Sequence, residues 1–430
     1  MNISVITLFP ELYSSFFKTS IIGKSVEQGK INYQVISLFS YVKPKERVDA
    51  PLFGHGPGMA LRPDVIEKAI TESEQRTGRS FRIFFSPHGK KLDQKVLEQL
   101  RDIVLEQKNL LLVAPRYEGV DHRAQEEYAD MVISLGDFVL MGGDVPALAL
   151  LEGVVRLVPG IVGDLASVDQ DSFGGPFVDW PAYTEPVVWK NRTVPEVLRS
   201  GNHGAVDRWR RHYAVRESVR HHWDWVRGHT TKESDIQAVS QEIPAHYVAL
   251  LHDGIVQKDG RIGTTSVTSL DIHDIARSAR TYGLKGYFLV TPLLDQQDIV
   301  RTLLDFWKSR EGAVYNESRH EAVSRIEISP SLDDTIAYIT AREGVAPIII
   351  GTSAIDREQP VPVIGYSDHA QVWGDNRPVL LLLGTGYGIS PELMARCNYV
   401  LKPLKGWHEY NHLSVRSAAA IIFDRWLGRY

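Results

Sequence analysis

Leu110-Leu111-Leu112-Val113-Ala114 is an unbroken apolar run, and it ends at Pro115-Arg116-Tyr117-Glu118-Gly119. An apolar run without polar alternation fits a strand buried on both faces, as in a parallel sheet. The proline and the glycine-closed turn then stop it. The pattern recurs on either side. Residues 81–85 run into Ser86-Pro87-His88-Gly89, and the strand-like stretches 131–135 and 138–141 lead to Gly142-Gly143-Asp144-Val145-Pro146-Ala147. Leu92, Val96, Leu97, Leu100 and Val104 have helical spacing, and 146–158 predicts a helix that stops before Pro159-Gly160. Strands alternating with helices imply a mostly parallel sheet covered on both faces. Ligands bind such folds at the carboxyl ends of the strands. Glycines there let the main chain approach a ligand such as adenine. Neither a dinucleotide-binding nor a phosphate-loop fingerprint is present, and each turn alone reads as an ordinary connection.

Working outward, residues 3–8 form a strand and 15–28 suit a helix. Residues 160–179, rich in Gly, Asp and Ser, break the pattern and read as a mobile or functional loop. A basic helical segment follows to about 226, and the polar residues 227–244 read as a linker. The alternation then resumes: strands at 247–252, 287–291, 347–351, 378–383 and 399–402, helices at 271–282, 390–397 and 413–426. The expected division is 1–160, an α/β domain; 161–226, a loop and small helical domain; 227–245, a linker; and 246–430, a second α/β domain.

The 430 residues carry a net charge of −5, so nothing global advertises a polyanionic partner. A local patch does. Arg208, Arg210, Arg211, Arg216, Arg220 and Arg227 interleave with Trp209, His212, Tyr213, His221, His222 and Trp223, a mix suited to phosphates and stacked bases. A solvated amphipathic helix is the bland alternative. The lone cysteine, Cys397, excludes an internal disulfide and a four-cysteine zinc site. No apolar run is long enough to span a bilayer, and residues 1–10 lack the features of a signal peptide, so a cytoplasmic protein without membrane partners is expected.

Taken together, the segments of the first half resemble the bacterial tRNA (guanine-N1)-methyltransferases of the SPOUT class, over roughly residues 1–225. The matching stretches are 6–10, Gly54-His55-Gly56-Pro57-Gly58-Met59, 86–94, 116–121, 134–147, Asp171-Ser172-Phe173, Pro181-Ala182-Tyr183-Thr184 and Ser200-Gly201-Asn202-His203 before Arg208-Trp209-Arg210. The resemblance implies a trefoil-knotted parallel-sheet domain and a homodimer that binds S-adenosylmethionine between its subunits. The implied substrate is the guanine 3′ of the tRNA anticodon (position 37). Guanine N1 must lose a proton as the methyl group arrives, so a positioned carboxylate is the natural base. The resemblance assigns that role to Asp171, which alone would read as a helix cap, with Arg156 supporting charge on O6. It assigns the donor to Ser86, Pro87, Pro115, Glu118, Ser134, Leu135, Gly136, Phe138, Leu140, Gly142 and Gly143. Glu118, Asp179, Ser200, Asn202, His203, Arg208 and Arg210 are the implied guanine or tRNA contacts. Three positions depart from the family: Pro115 for Gly, His88 for Gln and Phe138 for Tyr. Pro115 removes a backbone donor at the adenosine pocket. The family's chemistry suggests magnesium, for which the sequence marks no ligand cluster.

Beyond the linker, Leu383-Gly384-Thr385-Gly386-Tyr387-Gly388 follows a buried strand, and 403–419 leads into the closing helix. This half, residues 246–430, resembles a second SPOUT-class RNA methyltransferase family, often free-standing. Its implied donor pocket is Leu383, Gly384, Gly386, Leu404, Asn411, Leu413 and Ser417. Residues 271–283 parallel an Asn-x5-Arg-x5-Gly helix with Asp271 in place of Asn. Arg277 takes the position that helps activate a ribose hydroxyl in distant relatives; a surface pair with Asp274 is the plain alternative. His252, His273, His408 and His412 lack metal-ligand spacing and read as solvated or hydrogen-bonded. The expected whole is two tandem S-adenosylmethionine-dependent methyltransferases. One alternative is that the second half is a catalytically silent donor- or RNA-binding and dimerisation module. Another is that the whole chain is a nucleotide-binding regulator, which the Asp171, Arg156 and Arg208–Arg211 set disfavours.

Overall fold

The apolar runs do pair as parallel strands. A computed structural model describes residues 1–430 except Gly56, 163–170 and Arg357. Part of the 160–179 loop, and Gly56 of the 54–59 segment, therefore lie outside the described residues. In chain order the strands are β1 (Asn2–Thr7), β2 (Asn32–Ser37), β3 (Asp49–Pro51), β4 (Met59–Leu61), β5 (Phe81–Lys91), β6 (Asn109–Val113) and β7 (Met131–Ser134). There follow β8 (Val188–Trp189), β9 (Arg192–Thr193), β10 (His246–Leu251), β11 (Ile255–Val256), β12 (Ile262–Gly263), β13 (Gly286–Val290) and β14 (Ile326–Ser329). The last are β15 (Ile348–Thr352), β16 (Val363–Ile364), β17 (Val379–Gly384) and β18 (Tyr399–Leu401). The chain forms two units, Met1–Gly174 and Gly175–Tyr430.

The first unit is built on a five-stranded sheet, β2-β1-β6-β5-β7, with every neighbouring pair parallel. β6 is buried almost throughout, as its lack of polar alternation required. The Asp144–Leu157 helix buries Ala147, Leu150, Leu151, Val154 and Val155, the i, i+3, i+4, i+7, i+8 stripe of a core-facing helix. Its Pro146 sits in the first turn, where a missing N–H costs no intrahelical bond. One expected strand is absent. Residues 138–141 are a loop, and Val139 and Met141 are 88% and 90% exposed. Apolarity alone gives a strand there, but among the described residues no strand pairs with them.

The second unit has a seven-stranded sheet, β14-β13-β10-β17-β15-β18-β16, again parallel at every pairing. The residues read as a linker differ from that expectation. They hold the end of the Trp223–His229 helix and all of the Glu233–Glu242 helix. Val215, Val219, Trp223, Val226 and Val239 share one hydrophobic core with the sheet and the closing Val415–Leu427 helix. Arg227 is buried and donates to the carbonyls of Asp424, Arg425 and Gly428 at 2.8, 2.8 and 2.6 Å. It thus satisfies the orphan carbonyls where that helix ends. Arg227 and Trp223, read from sequence as part of the basic patch, are structural.

A histidine pair sits in this core. His246 Nδ1 lies 2.6 Å from the Pro244 carbonyl, while its Nε2 accepts from Trp426 Nε1 at 3.0 Å. His369 Nε2 meets the Trp426 carbonyl at 2.9 Å. Burial holds both rings neutral, lowering His246 to about 4 and His369 to about 3 from 6.5. A histidine with a depressed native pKa leaves stability intact above about 6.5, and stability is lost as the pH falls toward the native value. His246 alone is worth about 3 kcal/mol across that window. The denaturant midpoint of the second unit, followed by tryptophan fluorescence, should therefore fall steadily from pH 6.5 to 5; a flat midpoint over that range contradicts the neutral pair.

Candidate active sites

In the first unit the carboxyl ends of the adjacent strands β6, β5 and β7 open into a cleft of about 480 Å³, within the usual size range for small-molecule sites. Ser86, Pro87, Pro115, Glu118, Ser134, Leu135, Gly136, Phe138, Leu140, Gly142 and Gly143 all line it, as does His88. Sequence reasoning gave no donor role to Arg116, Tyr117, Val120, His122 or Gln125, which line it too. The glycine pair is needed for close approach. A Cβ on Gly142 would lie 2.4 Å from Arg116 Cδ, and one on Gly143 2.4 Å from Pro115 Cδ. Pro115, lacking its own N–H, accepts from Gly143 N at 2.7 Å.

Asp144 locks these loops together. Its carboxylate is fully buried and accepts from Thr7 Oγ1 at 2.6 Å and Tyr13 OH at 3.1 Å on one oxygen. Arg116 Nε and Nη2 reach the other oxygen at 2.8 and 2.7 Å. The Arg116 guanidinium also lies over the Phe9 ring, 4.6 Å from its centre. Burial, then the Asp144 charge, pushes the Tyr13 hydroxyl well above its ordinary pKa, so it stays a donor. Four donors on one carboxylate make an arrangement that is costly to break.

Arg156 and Asp171 meet in an ion pair at 2.5 Å, about half and one-third exposed. Among the described residues Asp171 caps no helix; its carbonyl accepts from Gly174 N in a turn. Neither residue lines the cleft. Arg156 is at the far end of the Asp144–Leu157 helix, so about 20 Å of helix separates it from Gly143.

In the second unit, the helix His203–His221 is capped by Asn202, whose Oδ1 accepts from Ala205 N at 3.1 Å; Ser200 Oγ accepts from Asn202 N. Ala214, Val215, Ser218 and Val219 form its buried face. Arg208 is exposed, and Arg210 lies over Trp180, 4.8 Å from the ring centre. Among the described residues neither forms an ion pair, whereas Arg211 pairs with Asp235. His203 and Asp179 are exposed. Trp180, Tyr183, Arg199 and Arg210 help line a cleft of about 390 Å³ beside this helix.

The same unit carries a second set of strand ends. Leu383 and Gly384 close β17, and Gly386 and Gly388 adopt φ of 54° and 107° in the turn that follows. Thr385 Oγ1 contacts the Leu251 carbonyl at 3.0 Å and Thr265 Oγ1 at 2.6 Å, and Thr265 Oγ1 meets His252 Nδ1 at 3.0 Å. If Thr385 donates to Leu251 and Thr265 to Thr385, His252 must donate through Nδ1–H, which leaves Nε2 a buried acceptor. His252 is thus a core residue, neutral, with burial lowering its pKa to about 4. Asn411 Nδ2 donates to the Ala354 carbonyl at 2.8 Å, tying the loop after β18 to the one after β15. Leu404 packs on the core, Leu413 is half-exposed, and Ser417 bonds the helix-capping Ser414. Asp274 is paired with Arg416, not Arg277, which is exposed and without an ion pair among the described residues.

Comparison with known proteins assigns both halves. Residues 1–227 match the family model described as tRNA (Guanine-1)-methyltransferase TrmD, and residues 245–428 match one described as SAM-dependent RNA methyltransferase. A tRNA (guanine-N(1)-)-methyltransferase of Nitratidesulfovibrio vulgaris is 38% identical, aligned over 100% of this chain and 99% of its own. One of Oleidesulfovibrio alaskensis is 34% identical over the same shares. One of Thermus thermophilus is 42% identical over 51% of this chain and 89% of its own. A crystal structure of tRNA (m1G37) methyltransferase from Aquifex aeolicus is 32% identical, covering 49% of this chain and 87% of that one, with a TM-score of 0.42.

Proposed function

The chain belongs to the tRNA (guanine-N1)-methyltransferase family, and from that premise we propose that its first unit methylates N1 of the guanine 3′ of the anticodon. S-adenosylmethionine is the donor, and a second S-adenosylmethionine-dependent RNA methyltransferase domain follows in the same chain. Donor binding in the first unit falls to Ser86, Pro87, Pro115, Glu118 and the loop from Ser134 to Gly143, where the glycine pair lets that loop pack directly on Pro115 and Arg116 to form one wall of the cleft. When bound, the donor supplies an electrophilic methyl group. Asp171 removes the N1 proton, and Arg156 holds Asp171 and offsets the charge that collects on O6. Glu118 and Asp179 contact guanine or tRNA; Arg208 and Arg210 grip phosphates. In the second domain Leu383, Gly384, Gly386, Leu404, Asn411, Leu413 and Ser417 hold the donor, and Arg277 faces RNA. The trefoil threading of both sheets and a cytoplasmic setting belong to the same reading.

The observation that carries the reading is the length of the Asp144–Leu157 helix. The cleft borders one end and the Arg156–Asp171 pair the other, about 20 Å apart. A base and a methyl group that must both reach guanine N1 are reconciled by a homodimer, in which one subunit's cleft meets the other's Asp171. The exposed Val139, Met141 and Val145 beside the cleft suit such an interface. Magnesium stays with this proposal. Among the described residues no three His, Cys, Asp or Glu side chains come together to hold a metal, so oxygen ligands from RNA or donor would be needed.

Mixing two inactive variants tests the shared site. Asp171→Ala lacks the base, and Gly143→Val, whose Cβ would meet Pro115, deforms the donor-binding wall. In a two-fold dimer, random reassortment restores one complete site in the mixed species, about a quarter of wild-type 1-methylguanosine formation. No recovery after reassortment, or a fully active monomer on sedimentation, contradicts it.

A further inference from the structure

The helix assigned to tRNA is not mounted on a separate module. One face of His203–His221, through Val215 and Val219, enters the hydrophobic core of the second methyltransferase domain. The next helix continues the attachment. Trp223 packs edge-on against Trp373, 5.0 Å between ring centres, and close to His369. Arg227 locks onto the last carbonyls of the closing helix, with its guanidinium 4.5 Å from the centre of the Tyr430 ring. Arg208, two turns before Val215 on the same helix, lies beyond that core and is exposed to solvent.

We propose that the second methyltransferase domain acts on tRNA, the same molecule that Arg208 and Arg210 of His203–His221 hold for the first. The proposal rests on the reading of that helix as the tRNA grip. A buried, cooperative core between grip and sheet moves as one body, because interiors this densely packed transmit displacement rather than absorb it. RNA bound at Arg208 and Arg210 is therefore held in a fixed frame relative to the turns after β10 and β17. Its encounter with the second site is intramolecular, at high effective concentration. A domain serving an unrelated RNA gains nothing from carrying a tRNA grip inside its core.

The test uses full-length protein, isotopically labelled S-adenosylmethionine, unmodified tRNA transcripts and, in parallel, ribosomal RNA, with digested products resolved by mass spectrometry. Asp171→Ala protein should still label tRNA, at a nucleoside other than 1-methylguanosine, and adding Gly384→Val should remove that label. In a wild-type background, Arg208→Ala with Arg210→Ala should lower both tRNA marks in parallel, by roughly tenfold or more at physiological salt and less at low salt. Arg208→Glu alone, which leaves the Arg210–Trp180 stacking in place, should act in the same direction. A fall in 1-methylguanosine with the second mark unchanged overturns the inference and leaves the grip standing. If neither mark falls, the grip itself is wrong and the inference goes with it. A second mark found only on ribosomal RNA, or on no RNA, also overturns it.

Discussion

Asp171→Ala is expected to lower the rate of guanine N1 methylation by about 10²–10⁴-fold, the usual contribution of a general base, with S-adenosylmethionine affinity unchanged. The two effects separate because Asp171 does not line its own subunit's cleft and, across the dimer, acts on guanine N1 and not on the donor. Its partner Arg156 is held on a helix that buries one whole face in the core, so removing the carboxylate leaves the scaffold in place. Only half-exposed groups lose their pairing, which limits the stability cost to that of a surface ion pair, about 0–1 kcal/mol. Single-turnover methylation of a tRNA transcript, beside calorimetric titration of the donor, separates the two quantities. A variant that methylates at near wild-type rate removes Asp171 from the mechanism.

Asp144→Ala is expected to act in the opposite manner, through structure first. It strips three hydrogen bonds and an ion pair from a fully buried carboxylate and leaves Arg116 uncompensated in a site where it is largely buried. Breaking such a pair costs about 3–5 kcal/mol. Arg116 also packs against Gly142, so its release deforms the cleft wall. The first unit should melt markedly lower, and donor binding should weaken by at least an order of magnitude at temperatures where the variant is still folded. An unchanged melting temperature with normal donor affinity contradicts the account of Asp144 as the clamp of the site.

These two aspartates show what could and could not be read from the chain. The first sheet was legible because runs such as 110–114 are short for a helix and end in proline and glycine turns; all the donor residues assigned in that half converge on one cleft. The clamp was not legible, because Thr7 and Tyr13 lie more than a hundred residues from Asp144 and no local pattern joins them. Residues 138–141 failed for another reason: apolarity says that a segment is to be covered, not by what. Arg227 and Trp223 were misread because composition cannot distinguish an arginine that faces RNA from one that caps a buried helix end. The helices between residues 294 and 343, and β14, went unread because no turn signature drew attention to them.

The most direct measurement is mass spectrometry of an unmodified tRNA transcript with guanine 3′ of the anticodon, after incubation with full-length protein and S-adenosylmethionine. The account predicts one 1-methylguanosine, at that guanine. Its absence there, with the methyl group found only on another nucleoside or not at all, would contradict the account.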